Sequence, residues 1–520
     1  MAKTGQQKLA EALKTASDSA IGNVLSSKSL GEKQRTLLVK EGFLKKIIQG
    51  WYLLDADILT EKTGDSALWY ESIWSFIDQY IKDKFSDELV EQGYWLSPEL
   101  SLDLHTASNA LPKQVIVYVP GASPRALDLP NGMSLLIMSS KIQPYQVVTL
   151  HGCIQAHSVE SALAETVPTT YRTNPLSIQL ALDMADPGEV QKAILHSNNV
   201  SSGNRLIGAY KAIGMKLESR NLTTVMKSAG YEGVNSVNPF EIEPYVLGGN
   251  RGEAPSAKRV RALWQVMRED VQKVFADHPA AHNFFDKDID ETLSEIKSLY
   301  VNDAYNSLSI EGYKVTRELI EKVSNGDWSP ETVAQDKAQK DALAARGYFD
   351  AFGRVKDLLS EAHEGGNDPD LEFLVGVGMT EWYTALFRPC VTAGIIEESD
   401  LAGYRKGPIY IRTSMHVPPA SEQLLDAMDA LKSLIANEPN YAVKAVLGHF
   451  LTGYIHAFPD GNGRTARFLM NFLFVLGGYD WVVIKHENRA QYLAALESAS
   501  VEGNVRSFAQ FVKDSQTAAI

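Results

Sequence analysis

His456, Asp460, Arg464 and Arg467 fall within the twelve residues HAFPDGNGRTAR, together with Gly461, Asn462 and Gly463. Each residue type suits one task in handling a nucleotide. An imidazole titrates close to neutrality, so His456 suits taking a proton from a hydroxyl. Gly461 and Gly463 permit backbone angles that turn successive amide N–H groups inward. Such a nest beside a helix N-terminus receives phosphate oxygens. Arg464 and Arg467 are three apart, share one helix face and can reach the same phosphates. Asp460 places a carboxylate beside that site, a common way of holding Mg²⁺ against phosphates. The run is not a Walker loop, which needs G-x-x-x-x-G-K-[ST], nor an HExxH zinc site.

Two helices must position these groups. Upstream, AVKAVLGHFLTGYIHAF has helix-period apolar residues, which puts His456 near a helix end. Downstream, RTARFLMNFLFVL begins a second helix with the glycines at its N-terminus. Its apolar run FLMNFLFVLGG is about half the ~20 residues of a membrane span, so it is expected to be a buried helix and no membrane partner is expected. A third element, YNSLSIEGYKVT, lies far upstream, with Ser307 and Glu311 four apart on one helical face and Gly312 following. The segment KGPIYIRTSMHVPPA, 406–420, is expected to form a β-hairpin closed by Pro418-Pro419.

The whole chain sets the frame. Its 520 residues exceed one ordinary domain, and 44% hydrophobic with 22% charged residues fits globular cores. A net charge of −14 argues against coating nucleic acid along the whole surface, though not against a local basic patch. Residues 1–50 carry nine Lys/Arg against four acids, a net of +5. Cys153 and Cys390 are the only cysteines, so no disulfide framework or cysteine zinc site is expected, and a reducing cytoplasm is the default. The first residues, MAKTGQQKLAEALKTA, lack the apolar core of a signal peptide.

In those fifty residues QKLAEALKTA and EKQRTLLVKEG have helical spacing, with Gly42 as a stop, and FLKKIIQGWYLLD is expected to be a hairpin turning at Gln49-Gly50. Short helices before a basic hairpin outline a winged helix-turn-helix. Lys33, Arg35, Lys40, Lys45 and Lys46 are its candidate DNA contacts, with Lys45 and Lys46 on the wing facing phosphate. A protein-binding role is the alternative. Beyond it QVIVYVPGA, MSLLIMSSKI and QVVTLHGCIQ are β-rich, 175–240 reads as helices, and VLGGNRGEAPSAK, 246–258, reads as a linker. From there to Ile520 the pattern is almost wholly helical. The expected fold is mainly α with a smaller α+β N-terminal part, divided as 1–95, 96–245, the linker 246–258, and 259–520.

The stretch HAFPDGNGRTAR is similar, position for position, to the Fic family signature H-x-F-x-[DE]-G-N-G-R-x-x-R, and SLSIEG resembles that family's inhibitory motif [ST]-x-x-x-E-[GN]. The resemblance covers roughly 260–520 and implies a helical Fic core with a β-hairpin flap. It implies transfer of AMP from ATP, with Mg²⁺, to a Ser, Thr or Tyr hydroxyl of a target protein or of the chain itself. In that frame His456 deprotonates the hydroxyl and Asp460 holds the metal. Gly461, Asn462, Gly463 and Thr465 surround the phosphates, Arg464 and Arg467 contact the β- and γ-phosphates, and Phe458 anchors the loop in the core. Ile411, Arg412, Thr413 and Ser414 align with the flap strand. Tyr492 and Leu493 align with residues that line the base, although Tyr492 serves equally as a core residue, and Ser500 replaces an asparagine common in relatives. Ser307, Glu311 and Gly312 align with the inhibitory helix, whose glutamate pairs with Arg467. The segment LVKEGFLKKIIQGWYLL resembles the winged helix of AbiEi-like antitoxins. The alternatives are a DNA-binding, antitoxin-like regulator whose Fic domain senses nucleotide, and an enzyme that removes AMP with Glu311 positioning water. A homo-oligomer is compatible with either reading.

Overall fold

The computed structural model describes residues 4–55, 65–85, 93–140, 143–241, 244, 252–327, 340–411 and 414–517. It is mainly helical, with small sheets confined to the N-terminal part. The chain divides into two units. One comprises Met1–Arg251 with Tyr410–Val417, and the other Gly252–Ile409 with Pro418–Ile520.

In the first unit Thr4 and Gln7 form a capping box that starts the helix Gly5–Ser19. The helix Glu32–Lys40 gives way to Gly42 at φ 86°, a left-handed position that glycine adopts without a Cβ penalty. The strands Leu44–Ile48 and Trp51–Leu54 pair antiparallel around Gln49-Gly50, with Gly50 at φ 86°, and Val24–Ser26 pairs on the other side of Trp51–Leu54. Ala12, Ala16, Leu38, Leu44 and Leu54 close this small core. The β-rich stretches supply a four-stranded sheet in which Gln114–Tyr118 and Ser134–Met138 run parallel. Val115, Val117, Leu135 and Ile137 are buried from it, the period-2 pattern of a half-buried strand. The helices Pro175–Met184, Pro187–Ser197, Val200–Ala212 and Lys216–Ser228 pack around Tyr171, Leu206 and Tyr210.

Two expectations are corrected. Among the described residues of 406–420 no two-stranded hairpin forms. The backbone groups are used elsewhere: Leu111 N–H donates to Met415 O (2.9 Å) and Val417 N–H to Asn109 O (2.6 Å), with a bridge between Ala110 and His416. Tyr410, Met415 and Val417 then pack on the core of the first unit, so a segment expected in the Fic core belongs to the N-terminal one. The expected linker 246–258 is too long at its C-terminal end. Pro255 to Lys258 already form the first turn of the helix Pro255–Phe275, because proline at the first helical position has its φ preset and needs no hydrogen-bond partner. Residues 245–251 lie outside the described residues.

The second unit is built around two helices that pack along each other, Tyr441–Ile455 and Asn462–Leu476. Both are buried nearly all round, as helices apolar on every face must be. Asn440 caps the first, accepting from Val443 N–H at 3.1 Å. Glu438, just before it, is buried and takes a bidentate pair from Arg268 (both 2.9 Å) plus Trp264 Nε1 (3.3 Å), which fixes the helix Pro255–Phe275 to this end of the core. The helices Lys340–Glu364 and Leu371–Thr392 form a second antiparallel pair. The helix Ile289–Ile310 starts on an Asp288 cap and ends at Glu311, with Gly312 following at φ 88°. Among the described residues no helix is long and apolar enough to cross a membrane.

Candidate active site

The connection between the two central helices carries the candidate reacting groups. His456 ends the first helix in the left-handed region, φ 51° and ψ 52°. A positive φ is uncommon outside Gly, although Asn, Asp and His adopt it more often than other residues, and it persists where surrounding contacts hold it. The His456 Nδ1 lies 3.1 Å from Gly453 O. With Nδ1 donating to that carbonyl, Nε2 is the nitrogen left without a proton. Burial lowers the His456 pKa, opposed by the Gly453 bond. The ring therefore stays neutral, and able to accept a proton, at lower pH than a free imidazole.

Asn462 shapes the loop. Its side chain is buried and bonds both backbone groups of Phe458, accepting from N–H at 2.9 Å and donating to C=O at 2.8 Å. Phe458 stacks on Tyr383 at 4.4 Å between centroids. Gly461, at φ 75°, is the N-cap of Asn462–Leu476, and a Cβ there would lie 2.7 Å from the Phe387 ring. No side chain caps this helix, so its positive N-terminal end is open to a ligand's charge. Asp460 accepts from Gly461 N–H at 2.6 Å, and its side chain is 65% exposed.

Both arginines are buried. Arg464 lies between the Tyr313 and Phe387 rings, 5.2 and 5.0 Å from their centroids, and 3.6 Å from Asp460 Oδ1. Arg467 donates from Nε to Ser307 Oγ (2.8 Å), and from Nη2 to Ser307 O (3.2 Å) and Glu311 Oε1 (2.6 Å). A Cβ on Gly463 would meet Glu311 Oε1 at 2.5 Å. The Glu311 carboxylate thus rests on the glycine nest itself. Burial pushes its pKa up, but Arg467 and Arg464 outweigh that and hold it below the ordinary carboxylate range. Behind Ser307, Tyr348 donates to the buried Asp303 at 2.7 Å, and burial raises that carboxyl to about 6.

His456, Asp460, Gly461, Asn462, Gly463, Arg464 and Arg467 are thus assembled on one loop and helix start, with Ser307, Glu311 and Gly312 brought to them from 144 or more residues upstream. Thr465 is fully buried in the helix. Tyr492 is also buried, its OH 2.8 Å from His449 Nε2 and its ring packed on Phe508 and Phe511, whereas Leu493 is 36% exposed. Ile411 and Ser414 lie in the segment that joins the first unit, where Ser414 N–H donates to Ile411 O at 3.1 Å. Arg412 and Thr413 lie outside the described residues. Sequence reasoning missed Tyr313, Phe387 and Arg405. Tyr313 directly follows the SLSIEG motif, so an aromatic next to a glycine that ends a helix was a visible signal. Phe387 and Arg405 come from other elements and left none.

This geometry invites comparison with known proteins. Residues 387–474 match the Fic/DOC family. The matched segment holds the whole glycine loop, both arginines and His456. A "Protein adenylyltransferase Fic" of Nematostella vectensis is 39% identical over 113 residues, which is 21% of this chain and 26% of that protein. One of Culex quinquefasciatus is 27% identical over 231 residues, 42% of this chain and 40% of that protein. The chain therefore spans less than half the length of these curated relatives. A solved structure of Fic-1 from C. elegans covers 69% of this chain and 89% of its own at 16% identity, with a TM-score of 0.36.

Proposed function

We propose that this chain is a self-inhibited protein adenylyltransferase. The observation that carries the reading is one loop and helix start that holds a half-buried histidine, its Nδ1 on Gly453 O, beside a glycine nest, an uncapped helix N-terminus and two buried guanidiniums. His456 Nε2 takes the proton of a Ser, Thr or Tyr hydroxyl. The freed oxygen attacks the α-phosphorus of ATP, the bond to the β-phosphate bridging oxygen breaks, and pyrophosphate leaves. Arg464 and Arg467 offset the charge on the phosphates, and the nest orients them. Positioning and charge stabilisation supply most of the rate in such a transfer. Asp460 is the residue that would hold Mg²⁺. Its carboxylate is exposed and borders the nest, which suits an ion bound by one or two carboxylates and the substrate phosphates rather than by a protein cage. When bound, that ion supplies further neutralisation of phosphate charge.

Glu311 supports the self-inhibited part of the reading. Its carboxylate takes Arg467 and lies on Gly463, so a phosphate and Glu311 compete for one place. The N-terminal unit is read as a DNA-contacting module. Lys33, Lys40 and Lys46 are exposed, whereas Lys45 pairs with Asp55 at 2.9 Å and Arg35 donates to Ser27 O at 3.2 Å, so the first three are the better phosphate contacts. The deciding experiment incubates wild type, Glu311→Gly and His456→Ala with α-labelled ATP, Mg²⁺ and cell lysate. Label should pass to protein in the second, weakly in the first and not in the third. No protein labelling by Glu311→Gly would refute the assignment.

A further inference from the structure

Arg405 is a buried cation, 6% exposed, whose guanidinium donates to three backbone carbonyls. Its Nε donates to His456 O (2.9 Å), Nη1 to Gly407 O (2.8 Å) and Nη2 to Pro419 O. Its own N–H donates to Ala457 O at 2.9 Å. One residue therefore holds two consecutive carbonyls of the loop, those of the candidate base and of its neighbour. It also grips the chain on both sides of 410–417, the stretch that departs to the first unit.

The backbone of His456 needs such a hold. A left-handed conformation at a residue with a Cβ is strained and relaxes unless contacts oppose it. Rotating about the N–Cα bond of His456 to bring φ negative would carry its carbonyl away from Arg405 and swing the Cα–Cβ bond, moving the imidazole. The Gly453 bond fixes the ring about its own side-chain torsions, but nothing in that bond fixes the backbone from which the ring projects. Arginine suits the task, because its rigid fork of five donors serves several carbonyls at once and keeps its charge at any working pH.

We propose that Arg405 is the positioning residue for His456: it holds the left-handed backbone that presents Nε2, while its fork ties that backbone to the stems at Gly407 and Pro419. The proposal rests on His456 acting as the base of adenylyl transfer. Arg405 acts through His456 and contributes nothing to nucleotide affinity, which belongs to the glycine nest and the two arginines.

The test uses the full chain in the Glu311→Gly background, with Arg405→Lys and Arg405→Gln added separately. Turnover should fall by about 10- to 100-fold, the effect of misplacing a reacting group by around an ångström. The Kd for ATP should stay within about twofold. In ¹³C-histidine spectra the His456 ring signal should shift while those of His449 and His278 stay in place. Should the Glu311→Gly parent transfer no AMP, the proposed activity fails, yet the His456 signal still decides the role of Arg405. A folded Arg405→Lys protein with unchanged turnover and an unmoved His456 signal overturns the proposal. So does a loss of ATP affinity that accounts for the whole loss of turnover, or failure of both variants to fold, which would make Arg405 a stability residue.

Discussion

Replacing Glu311 with glycine is the sharpest perturbation of this site. Glu311 Oε1 accepts from Arg467 Nη2 at 2.6 Å, with the arginine side chain 5% and the glutamate 33% exposed. A hydrogen bond to a charged group contributes about 1.5–3 kcal/mol. If that energy sets the balance between the occupied nest and the open one, its removal shifts the balance by about ten- to a hundredfold, at 1.36 kcal/mol per factor of ten. The sign with pH follows from the lowered Glu311 pKa. The pair is fully formed above the ordinary carboxylate value and is lost only as pH falls through the lower, folded value. The gain from Glu311→Gly should therefore be constant across neutral pH. The assay is initial-rate transfer of label from α-labelled ATP, including self-modification, with Arg467→Ala and the double variant beside it. Removing Glu311 cannot replace the phosphate contact of Arg467, so the double variant should match Arg467→Ala alone. Unchanged or lower transfer by Glu311→Gly would refute autoinhibition and favour a direct role for Glu311, such as positioning water for AMP removal.

His456→Ala should lower transfer by about 10² to 10⁴ while ATP affinity changes little, and a rate near wild type would mean another group takes the proton. Desolvation lowers the His456 pKa below its ordinary 6.5, so the acid limb of turnover against pH should lie below 6.5, and a midpoint at or above that value would contradict His456 as the base. Gly461→Ala should weaken ATP binding and lower the melting temperature, because φ 75° disfavours a side chain and its Cβ would meet Phe387 at 2.7 Å, and a variant with unchanged binding would show the loop adapts. Lys33→Glu with Lys46→Glu should weaken binding to DNA of any sequence and flatten its salt dependence by roughly one to two units of log–log slope, and no DNA affinity of wild type at low salt would leave the N-terminal unit a protein-binding module.

The loop chemistry was legible in one dimension because its parts are contiguous. A histidine at a helix end, glycines at the next helix start and arginines one turn on are local features, and local backbone rules suffice to place them. The two helices around the loop, the hairpin at Gln49-Gly50 and the α+β character of the N-terminal part were legible for the same reason. Glu311 was nameable from its motif, but its position on Gly463 depends on how the helix Ile289–Ile310 docks, which spacing does not encode. Tyr492 shows the limit plainly: an amphipathic aromatic suits a base pocket or a core equally, and only its burial against Phe508, Phe511 and His449 distinguishes them. The segment 406–420 has the alternation and prolines of a hairpin, yet strand pairing is a choice of partner among all edges the fold presents, and Asn109 to Leu111 supply the one it takes. Tyr313, Phe387 and Arg405 reach the site from three separate elements, so their roles arise from packing and from backbone carbonyls, which carry no sequence signature. The sequence determined the candidate groups of the loop and their immediate order, and the tertiary structure decided what holds His456 in its left-handed conformation and what covers the nest, because those contacts join residues far apart in the chain.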